Sequence, residues 1–211
     1  MKTKLILIRH GETVWNTERR VQGRKDSVLT TNGITQSAVL QEYLATVAVD
    51  YCYCSPQQRA RRTAEFALAN KKVPCILDER LSEINLGCWE GRKIADLETD
   101  FPDDYVQFYN GAININFGGG ENLKEVQQRV MAALDEYARK HSGETIAVVS
   151  HGMALAAALC ALNGVELNGR TYKQKNGCLN IVEYQSGKWI VTLQNHIPRS
   201  AGSGKLTSLE L

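Results

Sequence analysis

Two short apolar runs in this chain stop at the same dipeptide. Leu5-Ile6-Leu7-Ile8-Arg9 ends in His10-Gly11, and Ala147-Val148-Val149-Ser150 ends in His151-Gly152. Neither run alternates apolar with polar residues, so neither suits a strand with one wet face. Both fit strands buried on two sides. Such strands need helices above and below them, which directs the chain toward an α/β architecture.

The rest of the sequence supplies those helices. Thr30 to Val47 is helix-like, with Ala38, Leu40, Leu44 and Val47 forming a stripe. Asp50–Cys54 reads as a second strand, stopped by Ser55-Pro56. Pro56 suits the first turn of the next helix, where its missing N–H costs nothing, and that helix runs through Arg59, Ala60, Ala64 and Ala67. Pro74–Leu77 is a short third strand, Glu121–Lys140 a long amphipathic helix, Thr145–Val149 a strand and Met153–Leu162 a helix. Cys178–Tyr184 and Lys188–Leu193 form a hairpin around Ser186-Gly187. The alternation predicts a three-layer α/β/α fold with a mostly parallel central sheet.

With 211 residues the chain can bury one such core. Residues 1–197 are therefore expected to form a single domain. Within it, residues 88–121 carry Phe101, Tyr105, Phe108, Tyr109 and Phe117 and are expected to make a mostly helical cover over the sheet. Residues 198–211 are small and polar and are expected to be a mobile tail. Their Gly-Ser-Gly-Lys is no phosphate-binding loop, because Arg199 replaces the first glycine and Leu206 the hydroxyl residue.

Charge and apolar patterning narrow the partners. A formal net charge of +2, from 25 Lys and Arg against 23 Asp and Glu, provides no clustered basic footprint for nucleic acid. No apolar run approaches the roughly 20 residues of a membrane-spanning helix. The Leu5–Ile8 run is too short for a signal peptide, so no membrane association and a cytoplasmic location are expected. Cys52, Cys54, Cys75, Cys88, Cys160 and Cys178 contain no Cys-x-x-Cys pair, and are expected to be buried free thiols rather than a metal site.

In open parallel sheets, ligands bind beyond the carboxyl ends of the strands. His10 and His151 both lie there, each beside a glycine that lets backbone approach a ligand closely. Arg9 accompanies the first histidine, and Arg59 falls in the first turn of the helix after the second strand. Helix N-termini would add partial positive charge and free N–H groups to the same spot. Planar guanidinium forks each grip two oxygens, so a phosphate is the anion that fits. Taken singly, Arg59 would be one of the solvated run Arg59, Arg61 and Arg62, and Glu83 a loop carboxylate. His141 and His196 lack the His-Gly setting and are assigned structural roles.

Longer motifs then join these points. Arg9-His10-Gly11-Glu12-Thr13-Val14-Trp15-Asn16 resembles the opening signature of the histidine phosphatase superfamily, also called phosphoglycerate mutase-like. Arg20-Val21-Gln22-Gly23 and Leu29-Thr30-Thr31-Asn32-Gly33 continue it, with Val28 where a proline is usual. Ser55 to Ala60 with Thr63-Ala64-Glu65, then Leu81-Ser82-Glu83 with Gly87-Cys88-Trp89-Glu90-Gly91, resemble its next two blocks. Gly120-Glu121-Asn122 and Val149-Ser150-His151-Gly152 close the set, so the resemblance spans about residues 3–196.

That resemblance implies a phosphatase acting on a small phosphomonoester, with His10 as nucleophile and Glu83 as proton donor. Arg9, Arg59 and His151 would hold the phosphoryl group, assisted by Asn16, Gln22, Gly23 and the Gly152 backbone. No metal and no organic cofactor is implied. His10 is expected neutral, because surrounding cations depress an imidazole's proton affinity, and His151 is expected protonated when phosphate is bound.

The superfamily also contains cofactor-dependent phosphoglycerate mutases. Those typically carry a tyrosine where this chain has Leu86 and an asparagine where it has Met153, and they are longer. Residues 84–125 here hold Arg92, Lys93 and Lys124 against eight acidic residues, a poor surface for a doubly charged glycerate. A non-catalytic phospholigand-binding protein would be expected to lose the nucleophile or the acid, whereas His10, Glu83, Arg9, Arg59 and His151 are all present. Hydrolysis is the activity these features favour.

Overall fold

The computed structural model describes residues 1–168 and 172–200. Its sheet has six strands: β1 (Thr3–Arg9), β2 (Tyr51–Cys54), β3 (Cys75–Leu77), β4 (Thr145–Ser150), β5 (Leu179–Gln185) and β6 (Lys188–His196). Their order is β3-β2-β4-β1-β5-β6. The first four in that order run parallel, and β5 and β6 close one edge as an antiparallel hairpin. The sheet is mostly parallel, as the uninterrupted apolar runs require.

Side-chain alternation along β1 divides the interior in two. Leu5 and Leu7 join Tyr53, Ile146 and Val148 on one face, while Ile6 and Ile8 join Cys52, Cys54, Ala147 and Val149 on the other. Helices α2 (Thr31–Ala45) and α3 (Gln58–Ala67) cover the second face, following the short α1 (Val14–Thr17). The first face is covered by α6 (Leu123–Lys140) and α7 (Gly152–Leu162). The helix after β1 thus goes to one side and the helix after β4 to the other, although β1 and β4 are neighbours in register from Lys4↔Thr145 to Arg9↔Ser150. A crevice opens at their carboxyl ends, the place where such sheets bind ligands.

Between β3 and α6 the chain forms α4 (Ile94–Asp100), α5 (Pro102–Tyr109) and three single 3-10 turns. Phe101, Phe108 and Phe117 surround the buried Trp89, with ring centroids 6.0, 5.7 and 5.3 Å away. These aromatics therefore serve packing of the cover rather than an open binding wall. Ser200 Oγ donates to Glu42 Oε2 at 2.9 Å. Most of the expected tail, residues 201–211, lies outside the described residues. Among the described residues no helix is long and apolar enough to cross a membrane.

Two local expectations need correcting. Pro56 lies outside α3, which starts two residues later, because the Asp26 carboxylate accepts the N–H of Gln58 at 2.7 Å and of Arg59 at 3.3 Å. A remote acid thus caps this helix. The cysteines are not all buried free thiols. Cys52 and Cys75 face each other across β2 and β3 with Cα atoms 4.7 Å apart and form a disulfide, and Cys88 is exposed.

One backbone contact ties this framework to the crevice. A Cβ on Gly33, in the first turn of α2, would lie 2.0 Å from the carbonyl oxygen of Glu12, and one on Gly11 would lie 2.5 Å from that of Gly33. Gly33→Ala is expected to destabilise the protein by about 1–3 kcal/mol, as overpacking against backbone does. A urea midpoint unchanged from wild type would contradict this close approach.

Candidate active site

Because β1 and β4 end side by side, the residues that follow them meet. His10 and His151 are buried, with ring centroids 5.2 Å apart. His10 Nδ1 lies 2.7 Å from the carbonyl oxygen of Gly11. Only an N–H can make that bond, so Nδ1 carries the proton and Nε2 keeps its lone pair. Arg59 Nε donates to that Nε2 at 3.3 Å. The unprotonated nitrogen and a guanidinium are thus held together in the ligand-free site.

Arg59 is 1% exposed, and three of its four remaining N–H donors have protein partners. Nη2 donates to Gly23 O at 2.8 Å, and Nη1 to Lys25 O at 2.7 Å and Asp26 Oδ1 at 2.8 Å. Arg9 Nη1 donates to Gln174 O, while its Nε is buried without a partner. His151 Nε2 meets Ser55 Oγ at 2.7 Å, and its Nδ1 is also buried without a partner. Unpaired buried polar atoms are rare, and two of them in one crevice mark a place that a polar ligand would complete.

Glu83 approaches from the other side. α7 has no side-chain cap of its own, and Glu83 fills that role. Met153 N–H donates to Glu83 Oε2 at 3.1 Å and Ala154 N–H to Oε1 at 3.0 Å. Its carboxylate also acts on the charges of both Arg9 and Arg59. The two histidines, both guanidinium groups and the Glu83 carboxylate therefore share one neighbourhood.

The supporting residues divide. Gly23 takes part through its carbonyl, at a positive φ of 53° where a Cβ would lie 2.2 Å from Glu90 Oε1. Gly152 lets the Arg9 guanidinium carbon come within 3.3 Å of where its Cβ would be. Asn16 Oδ1 accepts from Asn176 Nδ2 at 3.0 Å and from Thr13, and Gln22 Oε1 accepts from Thr13 Oγ1 at 3.1 Å. Their oxygens are thus occupied in shaping the loop. His141 pairs with Tyr53 at 2.9 Å and His196 lies beside Tyr43, both away from the crevice.

Proton affinities follow from burial among cations. The His10 pKa is pushed well below the ordinary imidazole value by burial, then by Arg59 and Arg9. Burial, Arg59, His10, Arg9 and Arg129 do the same to His151. Both rings are neutral in the ligand-free site. Protonation of His151 would have to come with an arriving anion.

Sequence reasoning missed the residues that hold these groups in place. Gln57 donates from Nε2 to Gly23 O at 2.8 Å and accepts the Glu83 N–H at 2.7 Å, joining both halves of the site. Asp26, Gln174 and Asn176 serve Arg59, Arg9 and Asn16. No local pattern marks a residue whose partner is 165 positions away, as Gln174 is from Arg9. Ser55 and Gln57 did fall inside a recognised block.

Comparison with known proteins identifies the family. The family model described as histidine phosphatase superfamily (branch 1) matches residues 5–197. Phosphoserine phosphatase 1 of Hydrogenobacter thermophilus is 35% identical over 165 residues, 78% of each chain. The probable phosphoglycerate mutase GpmB of Yersinia pestis is 33% identical over 190 residues, 90% of this chain and 88% of the relative. The solved structure of Bacillus stearothermophilus YhfR superposes with a TM-score of 0.87 at 33% identity, covering 92% of this chain and 96% of the other. The chain belongs to the histidine phosphatase superfamily, branch 1, and is a phosphatase of that family.

Proposed function

We propose that the protein hydrolyses small phosphomonoesters without a metal ion, by way of a phosphohistidine on His10. One observation carries this reading: His10 keeps an unprotonated Nε2, its tautomer fixed by the Gly11 carbonyl and its lone pair accepting from Arg59 Nε, beside Arg9 and the unpartnered His151 Nδ1. A phosphoryl group in flight resembles metaphosphate, so positioning and charge stabilisation supply most of the catalysis. Two buried guanidinium groups and the N-terminus of α7 provide that charge from the chain itself.

In the first step His10 Nε2 forms a bond to phosphorus as the ester P–O bond breaks, and the leaving oxygen takes a proton from Glu83. In the second, the Glu83 carboxylate takes a proton from water as the oxygen attacks phosphorus and the P–N bond breaks. Inorganic phosphate and neutral His10 are restored. The relative named phosphoserine phosphatase 1 supports a small phosphorylated metabolite as substrate. Hydrolysis rather than transfer to a glycerate is supported by the cover, where Arg92 is engaged with Asp100 and lies 5.1 Å from the Phe101 ring. Isomerisation of 3-phosphoglycerate outpacing its hydrolysis would reverse this choice.

Turnover of p-nitrophenyl phosphate is expected to persist in EDTA, and alkaline quench should trap labelled phosphoprotein at His10. His10→Ala is expected to lower kcat/KM by on the order of 10³ or more, and Arg59→Ala by about 10² to 10³. Failure to trap any phosphoprotein, or loss of activity in EDTA, would remove the proposal.

The depressed histidines also set a pH dependence of stability. An unfolded imidazole takes up a proton below about pH 6.5, whereas His10 and His151 stay neutral in the folded chain well below that value. The unfolded state then binds more protons, so stability falls as pH drops, by about 1.4 kcal/mol per histidine for each pH unit between the two values. Urea midpoints measured from pH 7 to 5 should decline, and the double variant His10→Asn/His151→Asn should flatten the decline. An equal decline in that variant would show that other groups are responsible.

A further inference from the structure

We infer that Arg129, clamped by Glu121, is a positioning residue that holds the proton donor Glu83 against the reacting phosphoryl group. The inference rests on the proposed role of Glu83 and concerns residues that do not touch substrate.

Arg129 lies on α6, and its side chain is 16% exposed. All five of its N–H donors are used. Nη1 donates to Arg80 O at 2.8 Å and Ser82 O at 2.7 Å, and Nη2 donates to Glu83 O at 3.2 Å. The other two go to a single carboxylate, Nε to Glu121 Oε1 at 2.8 Å and Nη2 to Glu121 Oε2 at 3.0 Å. Three main-chain carbonyls leading into and including the acid are thus drawn to one rigid fork. A lysine presents its donors from one point and could not span them.

Glu121 extends the grip past the acid. Its Oε2 accepts the Asn85 N–H at 2.9 Å, and its own N–H donates to Asn85 O at 2.8 Å. Burial raises its proton affinity, but the Arg129 and Asn85 hydrogen bonds outweigh this and hold its pKa below the ordinary carboxylate value. It is therefore charged wherever the enzyme is folded near neutrality. Arg24, next to Gly23, reaches the same Oε2 at 3.3 Å. The clamp therefore encloses the backbone of residues 80–85 while Gln57 fixes the Glu83 N–H and α7 fixes its carboxylate.

This degree of restraint suits a proton transfer. A donor displaced by an ångström from the leaving oxygen loses much of its effect, whereas in-line attack by His10 is untouched. A displaced Glu83 should therefore harm substrates that need the proton and spare those that do not. p-Nitrophenolate leaves readily without help; an alkoxide does not.

The test measures single-turnover phosphorylation of His10 by glycerol phosphate and by p-nitrophenyl phosphate in wild type, Arg129→Gln, Arg129→Lys, Glu121→Gln and Glu83→Gln. The clamp variants are expected to slow phosphorylation by glycerol phosphate at least about tenfold more than by p-nitrophenyl phosphate, in the same direction as Glu83→Gln. Equal losses on both substrates, or none, would overturn the inference. If Arg129→Gln does not fold, Arg129→Lys and the isosteric Glu121→Gln read the same contrast. If Glu83→Gln shows no leaving-group preference while His10 is still phosphorylated, the acid assignment fails and the clamp's purpose with it. If only the clamp variants lack the preference, the clamp alone is rejected.

Discussion

Carrying the Arg59 guanidinium out of water is the step on which the site depends. A buried cation without partners is strongly unfavourable, and the loop between β1 and α2 supplies them as the Gly23 and Lys25 carbonyls and the Asp26 carboxylate. Asp26 also caps α3, the helix that carries Arg59, so one carboxylate fixes both the helix start and the side chain. The loop can follow this path because Gly23 accepts a positive φ and leaves room for Glu90. Arg9 is treated differently: one Nη1 bond and an unpartnered Nε leave it capacity for a ligand. Arg59 is thereby anchored to the protein, and Arg9 is held in reserve.

On the opposite wall, helix α7 plays a similar double part. It is apolar nearly all round and packs into the core, so its N-terminus has no local polar residue to accept its first N–H groups. Glu83 accepts them from a separate segment. Helix and carboxyl group each satisfy the other, since the first N–H groups of a helix have no acceptor within the helix. The consequence is positional. Glu83 is tied to Met153 and Ala154, and His151 just before them lies beside His10, so the carboxylate and both histidines share one rigid reference.

Much of this was legible in the sequence, for reasons that differ by element. The buried strands were readable because a parallel strand covered on both faces is apolar without alternation through its middle, as Leu5–Ile8 of β1 and Ile146–Val149 of β4 are. The His-Gly endings were readable because strand order puts function at carboxyl ends. Boundaries were less so: α3 begins after Pro56 because a carboxylate 32 positions away from Gln58 caps it, and no local signal reports that. The Cys52–Cys75 bond was invisible for the same reason, since it depends on which strands become neighbours and in what register. Residues expected to face the phosphoryl group sit in short motifs. Those that hold them, Asp26, Gln57, Glu121, Arg129 and Gln174, find their partners only after folding. Glu121 stood within a recognised motif, yet its clamp on Arg129 is a tertiary fact.

The two histidines show how identical residues in one electrostatic setting come to serve different ends. Burial and the same arginines depress both. His10 has its Nδ1–H committed to the Gly11 carbonyl, so Nε2, which accepts from Arg59 Nε, is the nitrogen proposed to bond phosphorus. His151 has its Nε2 on the Ser55 hydroxyl and its Nδ1 unpaired, so a phosphoryl oxygen arriving there would give it both a hydrogen-bond partner and a counter-charge. In the proposed reaction an anion offsets the arginines at the ring that can accept a proton, while the ring that stays unprotonated uses its lone pair to bond phosphorus. Hydrogen bonds to one backbone carbonyl and one serine hydroxyl, rather than the shared field, set which ring nitrogen each histidine leaves for a ligand.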